Sequence, residues 1–490
     1  MITKYFIIVA VLFMASIAFS QAPETLWTRT YGGADEDGAH SICFNGSAGY
    51  AIIGYTKSFG AGNRDIYFLK TTPFGDTIQT MTYGGAGEEC GYYIKHTMDD
   101  GYIITGYGGG YPTHSALLIH KTDAGGNIIW SKSYGPDYWS FGYCVQPVID
   151  DAGIETGYII SARLGDVNGH CLLKTDINGD TLWTRVYPVS YNACALAVDQ
   201  TQDKGYIIAG CSGAGTFETS WNVDLIKADS IGVWKWTRVY GDRRYGYDDA
   251  AYSIEQTSDR GYIIAAITMT YGMGGYDAWL IKTDVNGEIL WARTYGGTAE
   301  DCGFSVARTV DGGYVMSGHT ESFGEGGRDV YVIRTNCRGD TLWTKTIGGP
   351  NDDASYQILV TNKGEYVIVG YTESFGAGGR DVYLIKLASD IVYVDDENYF
   401  SAPVDFVLRQ NNPNPFNAST IIKYELPHQS QVSIAVYDIL GRRITTLQDG
   451  LQPAGYHQAL WRAEDVASGV YFYKLQAGDY SESKKMVLVK

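Results

Sequence analysis

The sequence predicts an all-β protein: a seven-bladed β-propeller closed by its own N-terminal strand, then a small β-sandwich. Three observations carry this. A unit of about fifty residues repeats seven times, and each unit divides into four short apolar runs. The array opens with a spare fourth strand and ends lacking one.

The repeat is marked by Leu26-Trp27-Thr28-Arg29-Thr30-Tyr31-Gly32-Gly33. Equivalent positions are Trp27, Gln79, Trp130, Trp183, Trp236, Trp291 and Trp343, at gaps of 52, 51, 53, 53, 55 and 52. A second mark is a Gly-Tyr-Ile-Ile-like run at Gly49, Gly101, Gly157, Gly205, Gly261 and Gly313, with Glu365-Tyr366 in the last copy. A third, of the type Asp381-Val382-Tyr383-Leu384-Ile385-Lys386, follows each. In the fifth unit the apolar runs fall at 251–256, 261–267, 277–283 and 288–295, four antiparallel strands by their length and spacing. Thr283-Asp284-Val285-Asn286-Gly287 is a tight hairpin in which Gly287 takes positive φ. Tyr262-Ile263-Ile264-Ala265 does not alternate, as expected of a strand covered on both faces.

A stacked solenoid competes with a ring, and the ends of the array decide. Residues 25–31 form a fourth strand before any complete unit. The last unit has strands at 354–360, 366–371 and 381–387 and no fourth. Pairing the spare strand into the gap closes a ring and removes an open sheet edge. A linear array would need polar caps, and none is present.

The chain has 490 residues, enough for more than one domain. Lys4 precedes an apolar run from Tyr5 to Phe19, and Ala18-Phe19-Ser20 offers small residues for cleavage before Gln21. That run is shorter than the ~20 residues needed to cross a bilayer, so residues 1–20 read as a signal peptide rather than an anchor. The expected domains are 1–20 signal peptide, 21–387 propeller, 388–403 linker and 404–490 sandwich. The mature chain is expected to be exported, with no membrane span. A formal net charge of −18 disfavours nucleic acid and anionic lipid, which need Lys and Arg to displace counterions. Of eight cysteines, Cys90, Cys194 and Cys302 share one repeat position with Ala354. A site that alternates between Cys and Ala is small and buried, so isolated thiols are expected, with a bridge among the others as the alternative.

Gly378-Gly379-Arg380-Asp381-Val382-Tyr383-Leu384-Ile385-Lys386 and Asn286-Gly287-Glu288-Ile289-Leu290-Trp291 resemble the units of bacterial secreted β-propeller repeat proteins. The resemblance covers about residues 25–387 and implies a fold, not an activity. At the C terminus the telling pieces are Asn414-Pro415-Phe416-Asn417, Tyr437-Asp438-Ile439-Leu440-Gly441-Arg442, Ser468-Gly469-Val470-Tyr471 and the run from Lys484-Lys485 to Lys490. They resemble the type A C-terminal sorting domain of the type IX secretion system, and also the Ig-like domain of the flagellar hook-capping protein (FlgD). Ala418 stands where that family usually has Pro. The resemblance implies an Ig-like sandwich that engages the type IX machinery and carries the chain from the periplasm to the cell surface or beyond. Asn414, Pro415, Phe416, Asp438, Gly441, Arg442, Gly469, Tyr471, Lys484, Lys485 and Lys490 are the sorting-signal residues it implies.

No catalytic motif is present: no H-E-x-x-H, G-x-S-x-G elbow, P-loop or dinucleotide fingerprint. Asp176-Ile177-Asn178-Gly179-Asp180 reads as turn chemistry rather than a calcium loop, and Arg338-Gly339-Asp340 as one draw at a variable turn. Asp65, Asp224, Asp277, Asp329 and Asp381 open third strands and read as carboxylates accepting backbone N–H bonds. Neither a cofactor nor a metal is expected. Departures from the repeat collect in the fourth-to-first and second-to-third loops of units two to five. There Tyr138, Trp139, Phe217, Trp221, Arg243, Arg244, Asp248, Asp249 and Tyr271 are the ligand-binding candidates, because exposed rings beside acids suit stacking on sugars. The leading function is a non-enzymatic exported propeller that binds an extracellular polysaccharide or protein. The alternatives are a polysaccharide-active enzyme using carboxylates such as Asp137, Glu218 and Asp248, or a structural surface component.

Overall fold

The computed structural model describes residues 21–46, 49–110, 114–136, 138–189, 193–213, 220–242, 246–390, 406–411, 413–426, 430–452, 455–463, 466–478 and 480–489. The expected signal peptide and most of the expected linker lie outside these. The chain divides into two compact units, Met1–Val392 and Tyr393–Lys490. Among the described residues both are built of strands and turns, with no helix.

The first unit holds seven four-stranded antiparallel sheets. Six are continuous in sequence. The first, for instance, takes Asp37–Phe44, Tyr50–Thr56, Asp65–Thr71 and Thr77–Tyr83 in order. The seventh takes Asp353–Val360, Tyr366–Thr372 and Asp381–Leu387, and its fourth strand is Thr25–Tyr31 from the other end of the chain. Thr28 lies opposite Ile385 and Tyr31 opposite Val382. The first strands of successive sheets pack on one another, and Asp353–Val360 of the seventh packs back on Asp37–Phe44 of the first. In the fifth unit the observed strands, Asp249–Gln256, Tyr262–Thr268, Asp277–Thr283 and Ile289–Tyr295, match the sequence expectation to within two residues. Tyr262–Thr268 and Asp277–Thr283 are buried throughout, whereas Ile289–Tyr295 is largely exposed.

The repeat motif is a latch between sheets. The Tyr that ends one sheet's fourth strand donates its hydroxyl to the carbonyl of the hairpin Gly in the next sheet. Tyr83 reaches Gly126 at 2.6 Å, Tyr134 reaches Gly179 at 2.5 Å, Tyr187 reaches Gly232 at 2.9 Å, Tyr240 reaches Gly287 at 2.6 Å and Tyr295 reaches Gly339 at 2.7 Å. Tyr31, in the seventh sheet, does the same to Gly75 of the first. The repeated Trp lies against the same hairpin. A Cβ on Gly179, Gly232, Gly287 or Gly339 would come within 2.7–2.8 Å of the ring of Trp130, Trp183, Trp236 or Trp291. With φ near 78° these positions need Gly twice over, for backbone and for space. The latch fails at one place only among the described residues. The sixth sheet ends in Ile347, and the seventh has no hairpin there to receive a hydroxyl, because its fourth strand comes from the N terminus. Trp343 instead donates its indole N–H to Asp390 at 2.6 Å.

Acids brace the loops as the sequence implied. Asp65 accepts from the N–H groups of Ala61 and Gly62, Asp277 from Met273, Asp329 from Glu325 and Asp381 from Ala377. Asp224 differs: its carboxylate meets His170 Nε2 at 2.9 Å, with both side chains fully buried. Asp176 Oδ1 accepts from the N–H groups of Asn178 and Asp180, an Asx turn, and Asn336 does the same for Arg338 and Asp340. The eight cysteines are unpaired, seven buried and Cys337 exposed.

In the second unit, Val407–Leu408, Ser419–Leu426 and Gly455–Arg462 form one sheet. Arg443–Gln452, Ser430–Tyr437, Gly469–Ala477 and Tyr480–Leu488 form another. Both contribute to one core that includes Phe416, Ile422, Val432, Ile434, Trp461, Tyr473 and Met486. The sequence pieces singled out above meet here. Phe416 exchanges backbone bonds with Val487 and Val489, and Val487 N–H donates to Asn414 Oδ1 at 2.9 Å. Asp438 accepts from the N–H groups of Leu440 and Arg442 and from the Arg442 guanidinium at 2.7 Å, around Gly441 at φ 77°.

Candidate functional site

In each of the seven first strands one extra residue is inserted as a bulge, so that two residues face one on the second strand. The inserted residues are His40, Tyr92, Tyr143, Leu196, Tyr252, Phe304 and Tyr356. All seven line one cavity of about 420 Å³. Their rings touch in sequence. Tyr143 stacks on Tyr92 at 5.9 Å, and Tyr92 meets His40 edge-on at 5.2 Å. His40 meets Tyr356 at 5.2 Å, Tyr356 meets Phe304 at 5.7 Å and Phe304 meets Tyr252 at 4.9 Å. Leu196 occupies the strand between those of Tyr143 and Tyr252. These six aromatic rings and one aliphatic side chain form a girdle.

The girdle is uncharged at neutral pH. Burial pushes His40 down to about 4, and its Nδ1 lies 3.0 Å from the Gly91 carbonyl, to which the neutral ring donates. Burial also raises the phenols of Tyr143, Tyr252 and Tyr356 well above their ordinary range. Three residues further along their strands, Lys95, Asp199 and Glu255 form a charged group. Glu255 meets Arg308 at 3.2 Å, and burial raises both carboxyls, partly offset by Lys95 and Arg308. The arrangement presents flat, neutral rings at one level and paired charges at another. That suits a ligand with ring faces and polar edges.

Sequence reasoning missed the girdle because it searched the loops. The signal was present: a small residue, then the inserted ring, then an aliphatic residue two places on, as in Gly91-Tyr92-Tyr93-Ile94 and Gly303-Phe304-Ser305-Val306.

Of the sequence candidates, Phe217, Arg243 and Arg244 lie outside the described residues, as do Asp137 and Glu218. Tyr138 and Trp139 are exposed at 44% and 42%. Trp139 sits at φ 51°, unusual for a bulky residue, with the Arg163 guanidinium 4.9 Å from its ring centroid. Trp221 and Tyr276 are half-buried in a cluster that also touches Tyr143, Leu196 and Phe304 of the girdle. Asp248 joins them, accepting from Trp221 N–H at 2.9 Å and Tyr276 hydroxyl at 3.3 Å. Tyr271 is exposed but leans on Trp279, with centroids 5.1 Å apart. Asp249 corrects the sequence expectation. It is fully buried and accepts from Thr268 and Thr270, the same brace that Asp301 makes with Thr320 and Ser322. Its carboxylate is committed to holding a loop. Among the described residues one group offers three ligand atoms close enough for a metal: Glu300, His319 and Glu321.

The second unit is decided by its sequence pieces and their pairing on the terminal strand. Residues 412–490 match the secretion system C-terminal sorting domain. The chain therefore carries a type IX sorting domain, and its destination is the cell surface or the extracellular space, by way of the periplasm of a Bacteroidetes-type bacterium. A curated relative, the regulatory protein FlaEY of Caulobacter vibrioides, is 28% identical over 138 residues. That match takes in 24% of this chain and 14% of FlaEY. Among solved structures, PorZ, an essential surface component of the type IX secretion system of Porphyromonas gingivalis, aligns at TM-score 0.43 and 11% identity. The alignment covers 94% of this chain and 60% of that one. A Dyadobacter fermentans protein of unknown function aligns at TM-score 0.42 and 12% identity, covering 75% and 99% respectively.

Proposed function

We propose that the seven sheets are the blades of a closed propeller and that the sorting domain is an Ig-like sandwich. The exported chain binds an extracellular polysaccharide within the aromatic girdle and the loops that adjoin it, without catalysing a reaction. The girdle carries this reading. Six rings from six different sheets converge on one cavity of about 420 Å³, a size that takes a few sugar rings. Closure is supported by the N-terminal strand in the seventh sheet and by the Tyr31 latch to the first. Trp221 and Tyr276 pack on the same buried cluster as Tyr143, Leu196 and Phe304 of the girdle, Asp248 accepts from both, and Trp139 and Tyr138 stand exposed on another of the variable loops. The signal peptide at 1–20 and the sorting residues around Asn414–Phe416 and Lys484–Lys490 belong to the same proposal.

A glycan array probed with the mature chain tests it. Binding to a polysaccharide is expected, weakened at least about tenfold by Tyr252→Ala or Trp221→Ala, the scale of a truncated aromatic anchor. An array without binding above background overturns the reading. So does binding of a protein in place of a glycan, or glycan binding that both substitutions leave unchanged.

A further inference from the structure

His319 departs from the repeat. Its position, next to last in the second strand, is Tyr55 in the first sheet and Tyr371 in the seventh. In those sheets the tyrosine is a platform for an arginine. Arg64 lies 4.3 Å from the Tyr55 ring centroid and Arg380 lies 4.3 Å from that of Tyr371. The matching arginine in the sixth sheet is Arg328. There the phenol is replaced by an imidazole that is 5% exposed, with neither ring nitrogen hydrogen-bonded. A buried imidazole left unpaired is costly. If the position only supported Arg328, tyrosine would serve, as it does twice elsewhere.

Two carboxylates face it. One atom each from Glu300, His319 and Glu321 lie within 4.8 Å of one another. Ligands held at about 2.1 Å by one tetrahedral ion stand about 3.4 Å apart, so modest rotation of the two glutamates closes the set. Glu300 is half-buried and Glu321 exposed, so each can turn once its ion pair with Arg328 is released. Arg328 now lies between them, 3.3 Å from Glu300 and 2.9 Å from Glu321. Its side chain reaches solvent, so it can leave. We propose that Glu300, His319 and Glu321 bind one divalent transition-metal ion such as zinc, because the imidazole nitrogen favours it over the magnesium or calcium that carboxylates alone would take. Arg328 guards the site when the ion is absent. One nitrogen and two oxygens leave a fourth position open to water or to a ligand donor. The His319 ring lies 5.5 Å from Phe304, so the proposed site adjoins the girdle.

Equilibrium dialysis of the full chain against zinc, with metal content measured per chain, tests this. Cobalt(II) absorption then reads the geometry. One ion is expected, lost in His319→Tyr, which restores the residue of the first and seventh sheets, and lost in Glu321→Gln, an exposed change that leaves folding intact. Arg328→Ala is expected to tighten binding, because the competing cation is gone. Equal zinc in the parent chain and in both His319→Tyr and Glu321→Gln overturns the proposal. So does the absence of any bound ion, or weaker binding in Arg328→Ala.

Discussion

Tyr240 and Ile347 occupy the same place in the repeat and differ for a physical reason. Tyr240 is buried, and its hydroxyl satisfies the Gly287 carbonyl in the next sheet. Ile347 faces the one junction without a receiving hairpin, where a hydroxyl would have no partner. Tyr240→Phe should therefore lower the unfolding free energy by about 1–2 kcal/mol, since it strands a carbonyl as well as removing a bond. Ile347→Tyr should give no gain. Denaturant melts of both variants check this, and a Tyr240→Phe chain as stable as the parent would contradict the latch. The same scale explains what the sequence hid. Asp249 looked available because an acid in an unusual loop resembles a recognition residue. Only its partners, Thr268 and Thr270, show it to be a brace, and they lie some twenty residues away.

At the scale of elements, strands and turns were legible and the bulges were not. Four apolar runs per unit, the Asx turns and the spare strand at 25–31 could be read because hydrophobic pattern and turn chemistry are local. A bulge adds one residue to one strand and leaves no compositional trace in a single copy. The girdle therefore shows only when seven copies are superposed, and Leu196 and His40 blur even that signal. The spare strand carries the sharpest prediction at this scale. It covers the edge of Asp381–Leu387, places Trp27 on the first sheet's hairpin and supplies the Tyr31 latch. Removing residues 21–31 opens a seven-residue edge and cuts both ties to the first sheet. Loss of the cooperative melt, or aggregation, is expected, with recovery on adding a peptide of residues 21–33. A truncated chain that melts like the parent would mean that closure contributes nothing.

For the whole molecule the division of labour follows from its two units. The repeat array spends its apolar residues on sheet-to-sheet packing and sets the bulged rings and variable loops apart from it, which is why its motifs name a scaffold and no ligand. The sorting domain reverses this: its sequence motifs are themselves structural parts. Phe416 is buried against Trp461 with centroids 5.4 Å apart, and Asn414 ties the N–H of Val487. Two kinds of substitution should then separate folding from recognition. Phe416→Ala is expected to destabilise the domain by about 3–4 kcal/mol and to stop export for that reason alone. Lys484→Glu with Lys485→Glu changes partly exposed side chains on the last strand, so the isolated melt should move little. Yet the chain should accumulate in the periplasm if these lysines are what the machinery reads. Cell fractionation paired with melting of the purified variants distinguishes the two. Normal surface delivery of the double-lysine variant would place the signal elsewhere in the domain, with the Asp438–Arg442 turn, whose Leu440 is exposed, as the next part to test.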